Sequence, residues 1–382
     1  MLIDWYLPGT KAGGPVRSVY SLIHLLRDEF DFYVLTANHD LGSPLPYSNI
    51  TANTWTLHQE IPVYYFSPDH LQANALQKVI EELNPSLIYL NSFWSYPFSI
   101  QPLRLKHKGV LHPPMLLAPR GMLGQGALGL KAFKKQAFLK IARLLGWYKQ
   151  ISFHATQQDE ASDILREFPS AKVAMAPNVN ALPVAENLCL KEPGRLKLFY
   201  LSRVAKVKNL HQAIQILSLI PDTCRIQYHI FGNMEDAAYW KECEALIQKL
   251  PSHIEVKYMG ELAFGNIQNT LVNYHCLLLP TLNENYGHSI VESLLCGCPV
   301  IISDQTPWKE LEDQQAGYAL PLNNSEAFAK ALCTIANMDQ TSFSQKSKAA
   351  NNYISKKIDL GSITDQYKIL FNDCIKNGSV IL

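Results

Sequence analysis

HCLLLPTLNENYGHSIVESLLCGCPVIISDQTPWKE, residues 275–310, is the stretch on which the fold is read. Its apolar run 276–280 predicts a buried strand, and the polar residues after it a turn. Renewed apolar periodicity predicts a helix that opens near Ser289 and stops at Gly297, and a second strand follows at 300–303. Strand, helix and strand in this order predict a parallel α/β sheet, with the turn at the carboxyl edge where such sheets bind ligands. Two carboxylates, Glu284 and Glu292, stand eight positions apart around the helix start. A helix N-terminus offers unpaired N–H groups to an anion, and carboxylates accept hydrogen bonds from sugar hydroxyls. The segment therefore suits a ligand that is part phosphate and part sugar. A second reading is open at this point: Ser289 and Glu292 have the S-x-x-E spacing of a capping box, and Glu284 would then be a solvated loop carboxylate.

Outward from this segment the same rhythm covers the chain. Strand-like runs at 2–6, 32–36, 87–90, 115–118 and 151–155 alternate with helical spacing at 17–26 and 71–83. The segment 177–195 is rich in Pro and Asn and is read as a connection between domains. The alternation then restarts, with strands at 196–202, 225–231, 255–259 and 276–279 and helices at 210–220, 239–250 and 265–272. Two Rossmann-like domains are expected, 1–180 and 181–355, facing a central cleft. A terminal helix within 356–382, around 363–375, could belong to either domain, packing back on the first being one of the two arrangements open.

The 382 residues exceed one ordinary core. Apolar runs are strand-sized, short of a membrane span, and the start MLIDWYLPGTKAGG lacks the basic opening and cleavage site of a signal peptide. All eight cysteines lie from Cys189 onward and none forms C-x-x-C, which suggests buried reduced thiols and a cytoplasmic protein. The formal net charge of +1 conceals a basic tract. Residues 83–158 contain no Asp or Glu and ten cations: Arg104, Lys106, Lys108, Arg120, Lys131, Lys134, Lys135, Lys140, Arg143 and Lys149. Such a tract attracts anions, among them an acidic membrane surface. On a helical wheel the cations of 131–149 do not gather on one face, so an ordinary outer helix is the competing reading. Nucleic acid fits less well, since the aromatics of this tract have the look of core residues.

Two further constellations favour anions. Arg203 and Lys208 follow a strand and precede a helix for which Asn209 is the expected N-cap; guanidinium, ammonium and helix amides together suit a diphosphate. Gly13 and Gly14 sit between the first strand and the helix bearing Arg17, where glycine permits close backbone approach and Pro15 suits the first turn. For each, an ordinary loop is the plainer alternative. Gly124, Gly126 and Gly129 satisfy G-x-G-x-x-G, yet the next acidic residue is Asp159, too distant for a ribose contact, and the match does not follow the first strand.

Taken together, EX7E at Glu284 to Glu292, GCPVIISD after it, LSRVAKVKNL, AGGPVRS and APNVN resemble the motifs of the retaining glycosyltransferases of family 4, in their order and over nearly the whole chain. The resemblance implies the GT-B fold. APRGML and SDQTPW resemble a bacterial branch associated with surface polysaccharides such as O-antigen, capsule or lipopolysaccharide. By this likeness Glu292 would bind donor ribose and Glu284 the donor sugar, with Asn285, Tyr286, Gly287 and His288 beside it. Gly232 and Asn178 would join the donor contacts, and Arg203 and Lys208 would neutralise the leaving diphosphate. No metal or cofactor would be required, and the nucleotide sugar would be a co-substrate; two fixed cations do the electrostatic work a metal does elsewhere. The acceptor would be a glycan or a polyprenyl-diphosphate-linked sugar at the inner face of the cytoplasmic membrane. Two departures stand out. Arg120 occupies roughly the position of a family histidine and joins the catalytic candidates, with His154 as a polar alternative of structural type. The hinge reads Asn178, Val179, Asn180, without the usual glycine and aspartate. A GT-B epimerase or phosphorylase and an inactive sugar-binding scaffold are the alternative functions.

Overall fold

The computed structural model describes residues 1–129 and 132–378. The chain divides into two compact units, Met1–Val179 with the chain from Leu360 onward, and Asn180–Asp359. The hinge motif straddles the division, and the long helix Gln340–Lys357 ends before the return to the first unit at Leu360.

The first unit is a doubly wound sheet whose opening strand is short, hydrogen-bonded from Met1 to Asp4. Leu2 bridges in parallel to Leu35 of β1 (Val34–Ala37) and to Leu90 of β4 (Ile88–Asn91). It joins the set β1, β3 (Ile61–Phe66) and β2 (Trp55–His58) to the set β4, β5 (Met115–Ala118), β6 (Ser152–Ala155) and β7 (Lys172–Met175). The expected strand 2–6 thus bonds to its neighbours as far as Asp4, whose carbonyl accepts from the Ala37 amide (3.2 Å). Alternation along the strands fills both faces. Leu2, Leu35 and Phe66 pack with Leu76 and Ile80 of the helix Ala73–Leu83, while Ile3, Val34 and Val63 pack with Val19 and Ile23 of the helix Gly14–Leu26.

The second unit has six parallel strands in the order β10 (Ile254–Gly260), β9 (Arg225–Phe231), β8 (Arg195–Leu201), β11 (Cys276–Leu279), β12 (Val300–Ser303), β13 (Gly317–Leu320). The central β11 and β12 are buried throughout, as continuous apolar runs demand. From β8 the chain winds outward to β9 and β10, then returns to lay β11 on the other side of β8. This reversal is the topological switch point, where the strand ends diverge and leave a crevice. In the first unit the reversal lies at Leu2 and β4.

Each unit buries a neutral histidine. The His154 Nε2–H donates to the Ala176 carbonyl (2.8 Å) and its Nδ1 accepts from the Tyr89 hydroxyl (2.5 Å). His275 Nδ1 accepts from the Lys197 amide (2.8 Å) and its Nε2–H donates to the Leu190 carbonyl (3.0 Å). Burial is the main cause that lowers His154 to about 3 and His275 to about 4. Because the folded values lie below the ordinary 6.5, each ring supports folding fully above that pH. The support is lost as pH falls toward the folded value, at up to about 1.4 kcal/mol per pH unit. At a pH near 5, unfolding should therefore take up about one proton per unit. Calorimetry in buffers of unlike ionisation heat counts that uptake, and none at all would contradict the neutral rings.

Candidate functional site

The loops after β8 and β11 are stitched together across the switch point of the second unit. The Leu282 amide donates to the Val207 carbonyl (2.9 Å) and the Thr281 hydroxyl reaches the same carbonyl (3.2 Å). Asn209 adds a third stitch. It was expected to cap the helix Leu210–Leu217, but it adopts the left-handed conformation (φ 58°) and makes no side-chain cap. Its buried Nδ2 instead donates to the Pro280 carbonyl (2.9 Å). Asparagine tolerates this backbone region better than most residues.

This stitching brings the two motifs together. Lys208 Nζ donates to Glu284 Oε1 at 2.5 Å, and both side chains are 13% exposed. Such a pair sits largely out of water, so its attraction is weakly screened. The helix expected near Ser289 begins one residue earlier, at His288, with Gly287 (φ 78°) before it. A Cβ on Gly287 would stand 2.8 Å from Ile290 Cδ1, so both backbone and space favour glycine there. Ser289 is consequently the second helical residue, and the capping-box reading fails on position. Glu292 lies a turn further in and is fully buried. The solvated-loop reading of Glu284 fails as well, given its burial against Lys208.

Around this pair the chain is held tightly. Trp308 Nε1–H donates to the Tyr286 carbonyl (2.6 Å), and the Glu284 amide donates to the Gln305 carbonyl (3.2 Å), which fixes the turn against the loop after β12. The Tyr286 ring is packed edge-on to His288; burial, and then the neighbouring Glu292, raise its phenol's pKa. Asn285 lies within the same turn, between Glu284 and the helix. Arg203 is directed elsewhere, to an ion pair with Glu235 in the loop after β9. Gly232 lies between these loops with φ 143°, and a Cβ there would fall 1.8 Å from the Ser202 carbonyl oxygen. Of the four charged groups, then, Lys208 and Glu284 meet, Arg203 stands against Glu235 and Glu292 is interior.

The first unit holds its own polar cluster at strand ends. Arg120 has a left-handed backbone (φ 56°). Its guanidinium donates to Asn178 Oδ1 (2.6 Å), Asn91 Oδ1 (2.7 Å) and the Tyr89 hydroxyl (3.3 Å). No salt bridge engages it among the described residues, so neutral oxygens hold a cation. Asn178, expected among the donor contacts, here gives its side-chain oxygen to Arg120 within the first unit. His154 sits behind Tyr89 as a structural ring. At the glycine loop Gly13 has φ 66° and precedes the helix whose first residue is Gly14, with Arg17 half-buried in its first turn. The loop before it is held by Asp40, whose carboxylate accepts from the amides of Thr10 (2.9 Å) and Lys11 (3.2 Å). The G-x-G-x-x-G run falls on a short helix, Gln125–Gly129, not on a phosphate-binding turn.

Sequence reading passed over Asp40, Glu235 and Asp4. Asp4 lies at the end of the opening strand, where burial raises its pKa and the Ser95 hydroxyl donates to it (2.5 Å). The signal available for it was an acidic residue ending an apolar run, as with Glu284. Among the described residues no group of three or more His, Cys, Asp or Glu is arranged to hold a metal ion, and no helix is long and apolar enough to cross a membrane. All eight cysteines are free thiols.

Comparison with known proteins bears on this geometry. Residues 190–355 match the family model of glycosyl transferases group 1, a span that contains both stitched loops. The O-antigen chain mannosyltransferase B of Escherichia coli is 23% identical over 152 residues, 39% of this chain and 38% of that protein; the match thus spans about two fifths of its length. Among solved structures, HepE of Anabaena in complex with UDP-glucose is similar, with TM-score 0.68 and 17% identity, covering 97% of this chain and 98% of that one. Sucrose-phosphate synthase of Thermosynechococcus elongatus is similar with TM-score 0.69 and 15% identity, covering 96% and 94%. These likenesses establish the fold as that of the GT-B glycosyltransferase structures.

Proposed function

We propose that this protein is a retaining, metal-independent hexosyltransferase of family 4, which moves a hexose from a nucleoside-diphosphate sugar to a glycan or lipid-linked acceptor in bacterial surface-polysaccharide synthesis. The observation that carries this reading is the Lys208–Glu284 pair, held beside the start of the helix His288–Leu295 by stitches across the switch point. Cation, carboxylate and helix amides in one place are what a sugar diphosphate requires. The family match over the same residues and the mannosyltransferase relative support it.

In this mechanism the donor's diphosphate takes the place of carboxylate partners at Lys208 and Arg203, and Glu284 turns to the sugar hydroxyls. Glu292 serves the ribose, reached through the turn formed by Asn285 and Tyr286. The bond from the sugar's anomeric carbon to the β-phosphate oxygen breaks. The bond to the acceptor oxygen forms on the same face, and the acceptor's proton passes to the departing phosphate oxygen. Charge developing on that oxygen is met by the ammonium, the guanidinium and the helix N-terminus. In the first unit, Arg120 and the glycine loop serve the acceptor, the guanidinium holding an anionic group. The acceptor lies at the inner face of the cytoplasmic membrane.

A thermal-shift screen with UDP, GDP, ADP and CMP sugars tests this reading. One nucleotide class should stabilise selectively, by about 2.7 kcal/mol at a hundredfold excess over its dissociation constant. Failure of every class to shift the melting temperature would remove the proposal.

A further inference from the structure

Between the later turns of the helix Gly14–Leu26 and the hairpin turn at Gln59 and Glu60 lies a cavity of about 320 Å³, wholly within the first unit. The hairpin turn precedes β3 and so stands at the amino end of that strand. Arg120 and Gly13 sit instead on loops that follow strands, at the carboxyl edge. The cavity is therefore a separate place. Rings form much of its wall. Tyr20 and His24, one helical turn apart, lie nearly parallel (9°) with centroids 6.1 Å apart, and Tyr6 and the half-buried His58 join them. Its charges are one of each sign, Arg27 and Glu60, paired at 3.6 Å with both side chains well exposed. The described cations of the basic tract do not line it, Lys131 lying outside the described residues. Tyr6 is the informative residue. It is 2% exposed, yet among the described residues no hydrogen bond engages its hydroxyl. Native structures seldom leave such a group without a partner. Burial raises its pKa, so the group remains an O–H able to donate.

We infer that this cavity binds a neutral hexose unit of a glycan, apart from the site of transfer. Chemistry narrows the occupant. Arg27 is already offset by Glu60, so no surplus charge calls for a phosphate. Among the described residues no group of three His, Cys, Asp or Glu is placed for a metal ion. A purely apolar molecule would leave the Tyr6 hydroxyl and the Gln59 amide without partners. A sugar answers each demand: every hydroxyl both donates and accepts, and the C–H faces of a pyranose lie flat against aromatic rings. The volume is at the small end of ligand cavities, which run to roughly 300–1,000 Å³, and suits one sugar ring better than a nucleotide sugar. For its use, as a second hold on the chain being extended, the inference rests on the glycan acceptor proposed above. Its test contains no donor, so either can fail alone.

The test is saturation-transfer NMR on the full chain without nucleotide, using methyl α-mannoside, methyl α-glucoside and methyl β-galactoside, with benzoate as an anionic aromatic of similar size. At least one glycoside should receive saturation on its ring protons, and benzoate none. Tyr6→Phe should weaken that sugar about fivefold, the loss of one hydrogen bond. It should melt no lower than the native chain, because the hydroxyl removed had no partner to lose. Tyr20→Ala/His58→Ala should weaken the sugar about tenfold or more, by removing the ring faces. Saturation of no glycoside, or binding that Tyr6→Phe leaves unaltered, would overturn the inference. So would a Tyr6→Phe chain that melts several degrees lower, which would give the hydroxyl a structural partner, or saturation of benzoate in place of the sugars.

Discussion

Substituting Met for Lys208 should lower turnover about 10²-fold or more, because in the proposed mechanism its ammonium meets charge that grows on the departing phosphate. The same change should also cost stability. Glu284 is only 13% exposed, and a mostly buried carboxylate stripped of its cation destabilises by about 3 kcal/mol. Arg203→Met separates these effects. Its pair with Glu235 is well exposed, with side chains 37% and 43% accessible, and such pairs contribute about 1 kcal/mol or less. Arg203→Met should therefore melt like the native chain and still lose turnover. If both variants, assayed well below their melting temperatures, turn over at nearly native rates, the role assigned to these cations is wrong.

Gly232→Ala should be as damaging without touching any charge. The added methyl would lie 1.8 Å from the Ser202 carbonyl oxygen and 2.6 Å from its carbon. Both are backbone atoms and cannot swing aside as a side chain would. The φ of 143° is itself costly for a residue with a Cβ, about 1–3 kcal/mol. The two strand ends are held by the Ser202 amide on the Phe231 carbonyl (3.0 Å) and the Val204 amide on the Asn233 carbonyl (2.8 Å), so relief requires parting β8 from β9 just before Arg203. The expected outcome is a loss of about 3 kcal/mol or more in the second unit, with turnover reduced in whatever remains folded. Unit-resolved urea or thermal melting reads the first and a donor assay the second. A variant that melts within a degree or two of native and works normally would show that these loops yield easily.

Much of this was legible in the sequence where burial is strong. β11 and β12 sit where the apolar runs predict, because strands enclosed on both faces leave a continuous apolar signature, and β9 sits where RIQYHIF alternates, its burial alternating with it. The hairpin of β2 and β3 was missed. WTLH alternates between exposed and half-buried, and its turn uses Gln59 (φ 49°) and Glu60 (φ 68°) in place of the glycine or asparagine that announces such turns. β7 and β13 are four residues each with a single fully buried position between them, too little to show a period. At the site, spacing singled out Glu284, Glu292, Arg203 and Lys208, and the family likeness added Gly232, but neither gave their partners. That Arg203 meets Glu235, that Asn209 reaches Pro280 and that Arg120 engages Asn178 are contacts between distant segments. They follow from strand order, which local periodicity does not contain.

The 2.5 Å contact of Lys208 with Glu284 also shapes which anions the protein ignores. An arriving anion must displace a carboxylate to reach the ammonium, so bare phosphate or sulfate exchanges one partner for another and gains little. A molecule that offers hydroxyls to the released carboxylate at the same moment is rewarded at both ends. Selectivity for an intact sugar diphosphate over its fragments would then arise from this swap, and millimolar inorganic phosphate should inhibit the reaction only feebly.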